Sequence, residues 1–158
     1  MVYLDTNIIL SYGIERDPNH EKARALIERN KHLGKFCTSP FTLVELYSIA
    51  YRIGCFILPP GIKRSALAPY LLRKLDIEVI PDERKLGKLK GLYLFHIFFE
   101  ATQISPKVKL KSGDMLHIAY AKILAEKGLV GYFLTMDKEI LERKEEIRES
   151  ISVEVIGE

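Results

Sequence analysis

Several signatures that would have announced a function are missing from this chain. Only two cysteines occur, Cys37 and Cys55, with no CxxC motif and no His–Cys spacing of a zinc site. They read as small apolar residues of a reducing compartment rather than as a disulfide. There is no P-loop and no GxGxxG, which argues against the common nucleotide-binding enzymes. Long apolar runs are lacking as well: the best, Leu92 to Phe99, carries His96 and falls far short of the ~20 residues that span a bilayer. No basic segment precedes an apolar one at the start, where Asp5 intervenes, so no secretory signal is read. The expectation is a soluble, cytoplasmic protein with no membrane partner.

What is present suits a compact fold. With 158 residues, 47% of them hydrophobic, the chain can bury a sizeable core as a single domain over 1–158. It shows no low-complexity tract and no repeat. The net charge of +3 permits a polyanionic partner without demanding one.

Apolar runs of strand length alternate with helical patterns. Val2–Leu4 predicts a strand, broken by Asp5-Thr6-Asn7 before a short helix to Gly13. A helix from Asp17-Pro18 to about Asn30 precedes a strand at Lys35–Ser39, and Pro40 opens a helix to about Ile53. Pro59-Pro60-Gly61 punctuates the chain ahead of a helix over Lys63–Lys74 and a strand at Ile77–Ile80. Asp82 to about Ile104 reads as helical, ended by Ser105-Pro106, with Lys107–Lys111 as a basic loop. A helix from Ser112 to Lys127, a strand at Gly131–Met136, a charged helix from Asp137 to about Glu149 and a strand at Ser152–Ile156 complete the pattern. Strands separated by helices predict an α/β sandwich with a mostly parallel sheet covered on both faces.

Four carboxylates stand out against this frame. Asp5, Asp114 and Asp137 lie at strand exits or in first helical turns, where each could simply cap a helix or favour its dipole. Glu45 is harder to dismiss. Its neighbours from Phe41 to Tyr51 are nearly all apolar or aromatic, and a carboxylate there is costly unless it is paired, solvated or neutralised.

 Pairing with Arg52 or exposure to water is the ordinary explanation for it. If all four instead meet at the carboxyl edge of the sheet, their mutual repulsion calls for a cation between them. All-oxygen ligands select hard ions such as Mg²⁺ or Mn²⁺, which suit phosphodiester hydrolysis.

At this point the motifs Leu4-Asp5-Thr6-Asn7-Ile8, Thr42-Leu43-Val44-Glu45-Leu46, Gly113-Asp114-Met115-Leu116-His117-Ile118-Ala119 and Leu134-Thr135-Met136-Asp137 resemble, in order, the PIN-domain family. The likeness is to VapC-type ribonucleases of prokaryotic toxin–antitoxin pairs, and it spans nearly the whole chain. It implies a three-layer α/β/α sandwich around a mostly parallel sheet of about five strands. It implies metal-binding and catalytic roles for Asp5, Glu45, Asp114 and Asp137, and supporting roles for Thr6, Asn7 and Thr135. The implied activity is Mg²⁺- or Mn²⁺-dependent endonucleolytic cleavage of RNA by a metal-activated water. An antitoxin protein and a homodimer are the assemblies it suggests, and toxin and RNA-processing roles both stay open.

Other features are weighed beside these. Arg84, Lys85, Lys88 and Lys90, with Lys107, Lys109 and Lys111, form the densest basic region, either a solvated surface or an RNA-binding one. Lys107, Lys109 and Lys111 are the RNA-contact candidates. Tyr93, Phe95, Phe98 and Phe99 read as core or dimer-interface residues, with base stacking as the alternative. His117 would lie one turn beyond Asp114, but no second His or Cys completes a constellation around it. Ser39 would either line the cleft or cap the helix that Pro40 opens. Two rival functions are a non-catalytic RNA-binding or assembly module and a haloacid-dehalogenase-type phosphatase. The second would want an Asp where Asn7 stands.

Overall fold

A computed structural model describes every residue except Cys55, Phe56, Asp82 and Arg84. The expectations placed on Cys55, on Arg84 and on Asp82 as a helix start therefore lie outside the described residues.

Five short strands form one parallel sheet: β1 (Val2–Leu4), β2 (Phe36–Thr38), β3 (Glu78–Val79), β6 (Tyr132–Leu134) and β7 (Glu154–Ile156). Their order is β3-β2-β1-β6-β7, with every pairing parallel. The chain steps outward from β1 to β3, then returns to pair β6 on the other side of β1. The strand order therefore reverses at β1, and ligand crevices form at such switch points.

Period-two alternation sends the strands' side chains into two separate cores. Tyr3, Cys37 and Phe133 point to one face, and Val2, Leu4, Phe36 and Leu134 to the other. On the first face pack α5 (His96–Val108), α6 (Ser112–Glu126) and α8 (Lys144–Ile151), through Ala101, Ile104, Ile118 and Ile147. On the second pack α1 (Thr6–Gly13), α2 (His20–Asn30), α3 (Pro40–Arg52) and α4 (Leu67–Lys74), through Ile8, Leu26, Leu46 and Leu71. The result is the expected α/β/α sandwich. Cys37 is fully buried, and burial pushes its thiol up to about 12, as befits a packing residue. No helix among the described residues is long and apolar enough to cross a membrane.

The stretch after β3 departs from the expected helix. It forms an antiparallel hairpin, β4 (Leu86–Leu89) and β5 (Leu92–Phe95), before α5 begins. The turn between them is Lys90-Gly91, with φ of 46° and 88°. Two consecutive left-handed residues match the twist of a hairpin, and Gly91 takes that conformation without steric cost. Gly87 is required for another reason: a Cβ there would come within 2.2 Å of the Phe99 ring.

Several boundaries also differ. The helix expected from Asp17-Pro18 begins at His20, with Asn19 as its N-cap. Ser105-Pro106 does not end α5, which continues to Val108, so Lys107 is helical rather than part of a loop. Pro106 costs the helix one N–H donor but lies in its last turn, so only the two residues to Val108 follow it, and Lys109 then closes the helix at φ 55°. The charged helix near the end is split at Arg143 into α7 (Lys138–Glu142) and α8. The aromatics of the hairpin region are not core residues either: Tyr93, Phe95 and Phe98 are exposed, and Phe99 is half-buried.

Candidate active site

Asp5 leaves β1 and enters α1, and its burial follows from the strand's central position. Its Oδ1 accepts from the Thr6 backbone N–H at 2.7 Å, so it does cap the helix. Its Oδ2 accepts from the Thr135 hydroxyl at 2.7 Å, across the β1–β6 seam. Capping and membership of a polar cluster are therefore not alternatives here. The same Thr135 hydroxyl accepts from the Asp137 backbone N–H at 2.9 Å, which fixes one strand exit against the other. Asn7 adds a long tie, accepting from the Met136 backbone N–H at 3.4 Å.

Asp137 caps α7, accepting from Glu139 and Ile140 through Oδ1. Asp114 stands in the first turn of α6. Its carboxyl is pushed up to about 6, chiefly by burial and then by the negative charges of Asp137 and Asp5. Asp137 and Asp5 are thus each near enough to repel Asp114 at the carboxyl edge of the sheet. Asp5 is also raised, first by burial, with Glu45 adding repulsion and His117 and Thr135 opposing it.

Glu45 reaches the same edge from α3. Its Oε1 would lie 3.7 Å from a Cβ built on Gly113, beside Asp114. It does not pair with Arg52. Instead its Oε2 accepts from the Thr6 hydroxyl and from His117 Nε2, the latter at 2.8 Å. Burial alone would raise its pKa, but these donors outweigh burial and lower it.

His117 is the residue whose importance the sequence understated. Its ring is buried, Nδ1 shares a 2.9 Å hydrogen bond with the Tyr3 hydroxyl, and Nε2 stands 3.6 Å from Asp5 Oδ1 as well as contacting Glu45. Burial works against its charged form, yet Glu45 and Asp5 hold its pKa above the ordinary value. The available signal was the i, i+3 spacing from Asp114; its partners Tyr3 and Glu45 are remote in sequence. Ser39 lies at the end of β2 and caps α3, accepting from the Thr42 N–H at 3.3 Å.

The RNA-contact candidates Lys107, Lys109 and Lys111 are all exposed. Lys111 donates to Glu139 at 2.8 Å and is the one whose charge bears on Asp114 and Asp137. A cleft elsewhere, lined by Arg16, Tyr51, Leu58 and the 59–65 loop, includes none of the four carboxylates.

The donor chemistry is all-oxygen apart from His117, and like charges crowd Asp114, so Asp5, Asp114 and Asp137 fit a hard divalent ion in kind. As placed, no three His, Cys, Asp or Glu side chains among the described residues form a ready metal cluster. Glu45 Oε2 is committed to Thr6 and His117, and the Glu45 charge still bears on Asp5.

A parallel sheet with polar and acidic groups gathered at its switch point is the class of architecture that the fold and site define. The chain belongs to the PIN domain family, whose model matches residues 2–147. Among solved structures it is similar to VapBC2 from Rickettsia felis bound to a DNA fragment from their promoter, at 14% identity and TM-score 0.60, covering 99% of this chain and 98% of that one. FitAcB from Neisseria gonorrhoeae matches at 18% identity and TM-score 0.58, covering 99% and 97% of the two chains. VapC20 from Mycobacterium tuberculosis, described as a Sarcin-Ricin loop cleaving toxin, matches at 16% identity and TM-score 0.55, covering 90% and 94%. At these identities the likeness establishes the fold. No curated protein matches the chain.

Proposed function

We propose that the chain is a PIN-type endoribonuclease, with the acidic edge at the β1–β6 switch point as its site. The observation that carries this reading is the convergence of charge on Asp114, whose proton affinity is raised by both Asp137 and Asp5. Asp5, Asp114 and Asp137 would hold Mg²⁺ or Mn²⁺, with Glu45 the fourth acidic member. A bound ion of this kind lowers the pKa of water and neutralises charge on a phosphodiester. Thr135 orients Asp5 and braces Asp137 through the hydrogen bonds already described. Thr6 and His117 hold Glu45, and the Nε2 that faces it is a proton-bearing group at the edge of the same cluster.

The toxin reading, with an antitoxin and a homodimer as partners, draws support from the description of the M. tuberculosis neighbour as a cleaving toxin. The phosphatase alternative loses its footing with the family assignment. A non-catalytic RNA-binding module remains the competing reading, and turnover decides between them. With Mn²⁺ and an RNA substrate, Asp5→Asn and Asp114→Asn are expected to reduce cleavage about a hundredfold or more while circular dichroism stays native. Cleavage by either variant at the wild-type rate removes that residue from the site. Absence of cleavage by the wild type with both metals leaves the binding module.

A further inference from the structure

The hairpin β4–β5 exposes side chains that a solvated surface does not explain. Cross-strand pairing sets Leu86 opposite Phe95 and Lys88 opposite Tyr93, so these four share one face. Tyr93 is 67% exposed and Phe95 61% exposed, and Lys88 Nζ lies 5.8 Å from the centre of the Tyr93 ring. Phe98, in the first turn of α5, is exposed beside them.

The charge around this face is one-sided. From Lys85 to Gly113 the sequence holds six lysines (85, 88, 90, 107, 109 and 111) and a single carboxylate, Glu100, with Lys85 paired to Glu83 and Lys111 to Glu139 from outside the stretch. Glu100 is 8% exposed and accepts from Lys122 at 2.6 Å, so it contributes little negative field outside. The exposed side of α5 between the two groups of lysines carries Thr102, Gln103 and Pro106, with no acid. This helix has 13 residues, about 20 Å of path, and its far end leads through Lys109 and Lys111 to the first turn of α6 and Asp114.

We propose that the exposed Tyr93/Phe95 face of the hairpin is a stacking platform for unpaired bases of the RNA substrate, whose backbone follows α5 toward the acidic edge. The inference rests on the ribonuclease reading and assigns the contact with unpaired bases to the hairpin face. Aromatic faces next to cations bind single strands because every base offers a π surface, whereas bases within a duplex are already stacked. A protein partner is the poorer match, since lysine is depleted from protein interfaces and Lys88 is part of this face, over the Tyr93 ring.

Binding measured in EDTA separates this from the chemistry. Fluorescence anisotropy would compare a short unstructured labelled RNA with the same strand annealed to its complement. The single strand is expected to bind more tightly, and Tyr93→Ala or Phe95→Ala to weaken it about five- to a hundredfold. Tyr93→Phe should retain the affinity, and Lys88→Gln should flatten its salt dependence. Equal affinity for duplex and single strand would overturn the proposal, as would wild-type binding by both alanine variants. So would a shift of Tyr93→Ala from dimer to monomer in sedimentation with RNA affinity unchanged, which would assign the face to a second copy of the chain. Each of these failures leaves the cleavage test of Asp114→Asn standing on its own.

Discussion

The acidic edge and the hairpin depart from ordinary burial in opposite directions. At the edge, groups that prefer water are withdrawn from it: Asp5 and His117 are buried, and each is tied to partners from other elements. On the hairpin, groups that prefer the core stand in water, Leu86, Tyr93 and Phe95 among them. A buried charge must be compensated inside the molecule, so its cost is visible as hydrogen bonds. An exposed aromatic has no such internal partner and points outward for its compensation. The first pattern identifies where the protein has organised itself, and the second where something else is to be met.

Truncating each region tests that contrast. His117→Ala removes one of the two donors to Glu45 Oε2 and a buried hydrogen-bond partner of Tyr3. Chemical denaturation is expected to show a loss of about 1–3 kcal/mol. Tyr93→Ala, a larger truncation on the hairpin, should stay within about 0.5 kcal/mol of wild type. Equal losses from the two would erase the distinction between them.

A second test at the edge has the opposite sign. Asp114 titrates at about 6 when folded, against an ordinary value of 3.8, because the fold disfavours its charge. Its contribution to stability is then full below about 3.8 and is lost as the pH rises through about 6. In EDTA at pH 7, Asp114→Asn should therefore raise Tm, and the gain should vanish toward pH 4. Added Mg²⁺ or Mn²⁺ should reverse the order, since preferential binding stabilises only a chain that still holds the ion. A variant that melts like wild type at pH 7, with and without metal, would remove the electrostatic argument for the site.

The same contrast explains what was legible in the sequence. The central strands were readable because both faces are buried and Val2-Tyr3-Leu4 or Tyr132-Phe133-Leu134 leaves no polar alternative. Helix starts at Pro40 and Ser112 were readable from local chemistry. The hairpin was missed because Leu86-Gly87-Lys88-Leu89 and Leu92-Tyr93-Leu94-Phe95 lack a strict polar alternation, and Lys90-Gly91 is a weaker turn signal than Asn-Gly. The four acidic positions stand out in the sequence through their motifs, whereas the contacts of His117 do not. Its partners Tyr3 and Glu45 lie on β1 and α3, and only the folded sheet brings them together.

The smallest effect expected concerns the lysines that lie between the two regions. Phosphate contacts made by lysine release counterions, so log–log salt slopes for single strands change by about 0.7 per contact. Replacing Lys107, Lys109 and Lys111 together would naively remove three such contacts, a change of about 2.1. Lys111, however, already faces Glu139 at 2.8 Å, and contact with a phosphate would compete with that pair. The triple alanine variant is therefore expected to flatten the slope by about 1.4, as two contacts would. Binding titrations of unstructured RNA over a range of salt, in EDTA, would measure it. An unchanged slope would return all three lysines to the solvated surface and leave the hairpin without a cationic route to the acidic edge. A full change of three contacts would instead mean that Lys111 releases Glu139 when RNA binds, freeing a carboxylate on α7 beside Asp137.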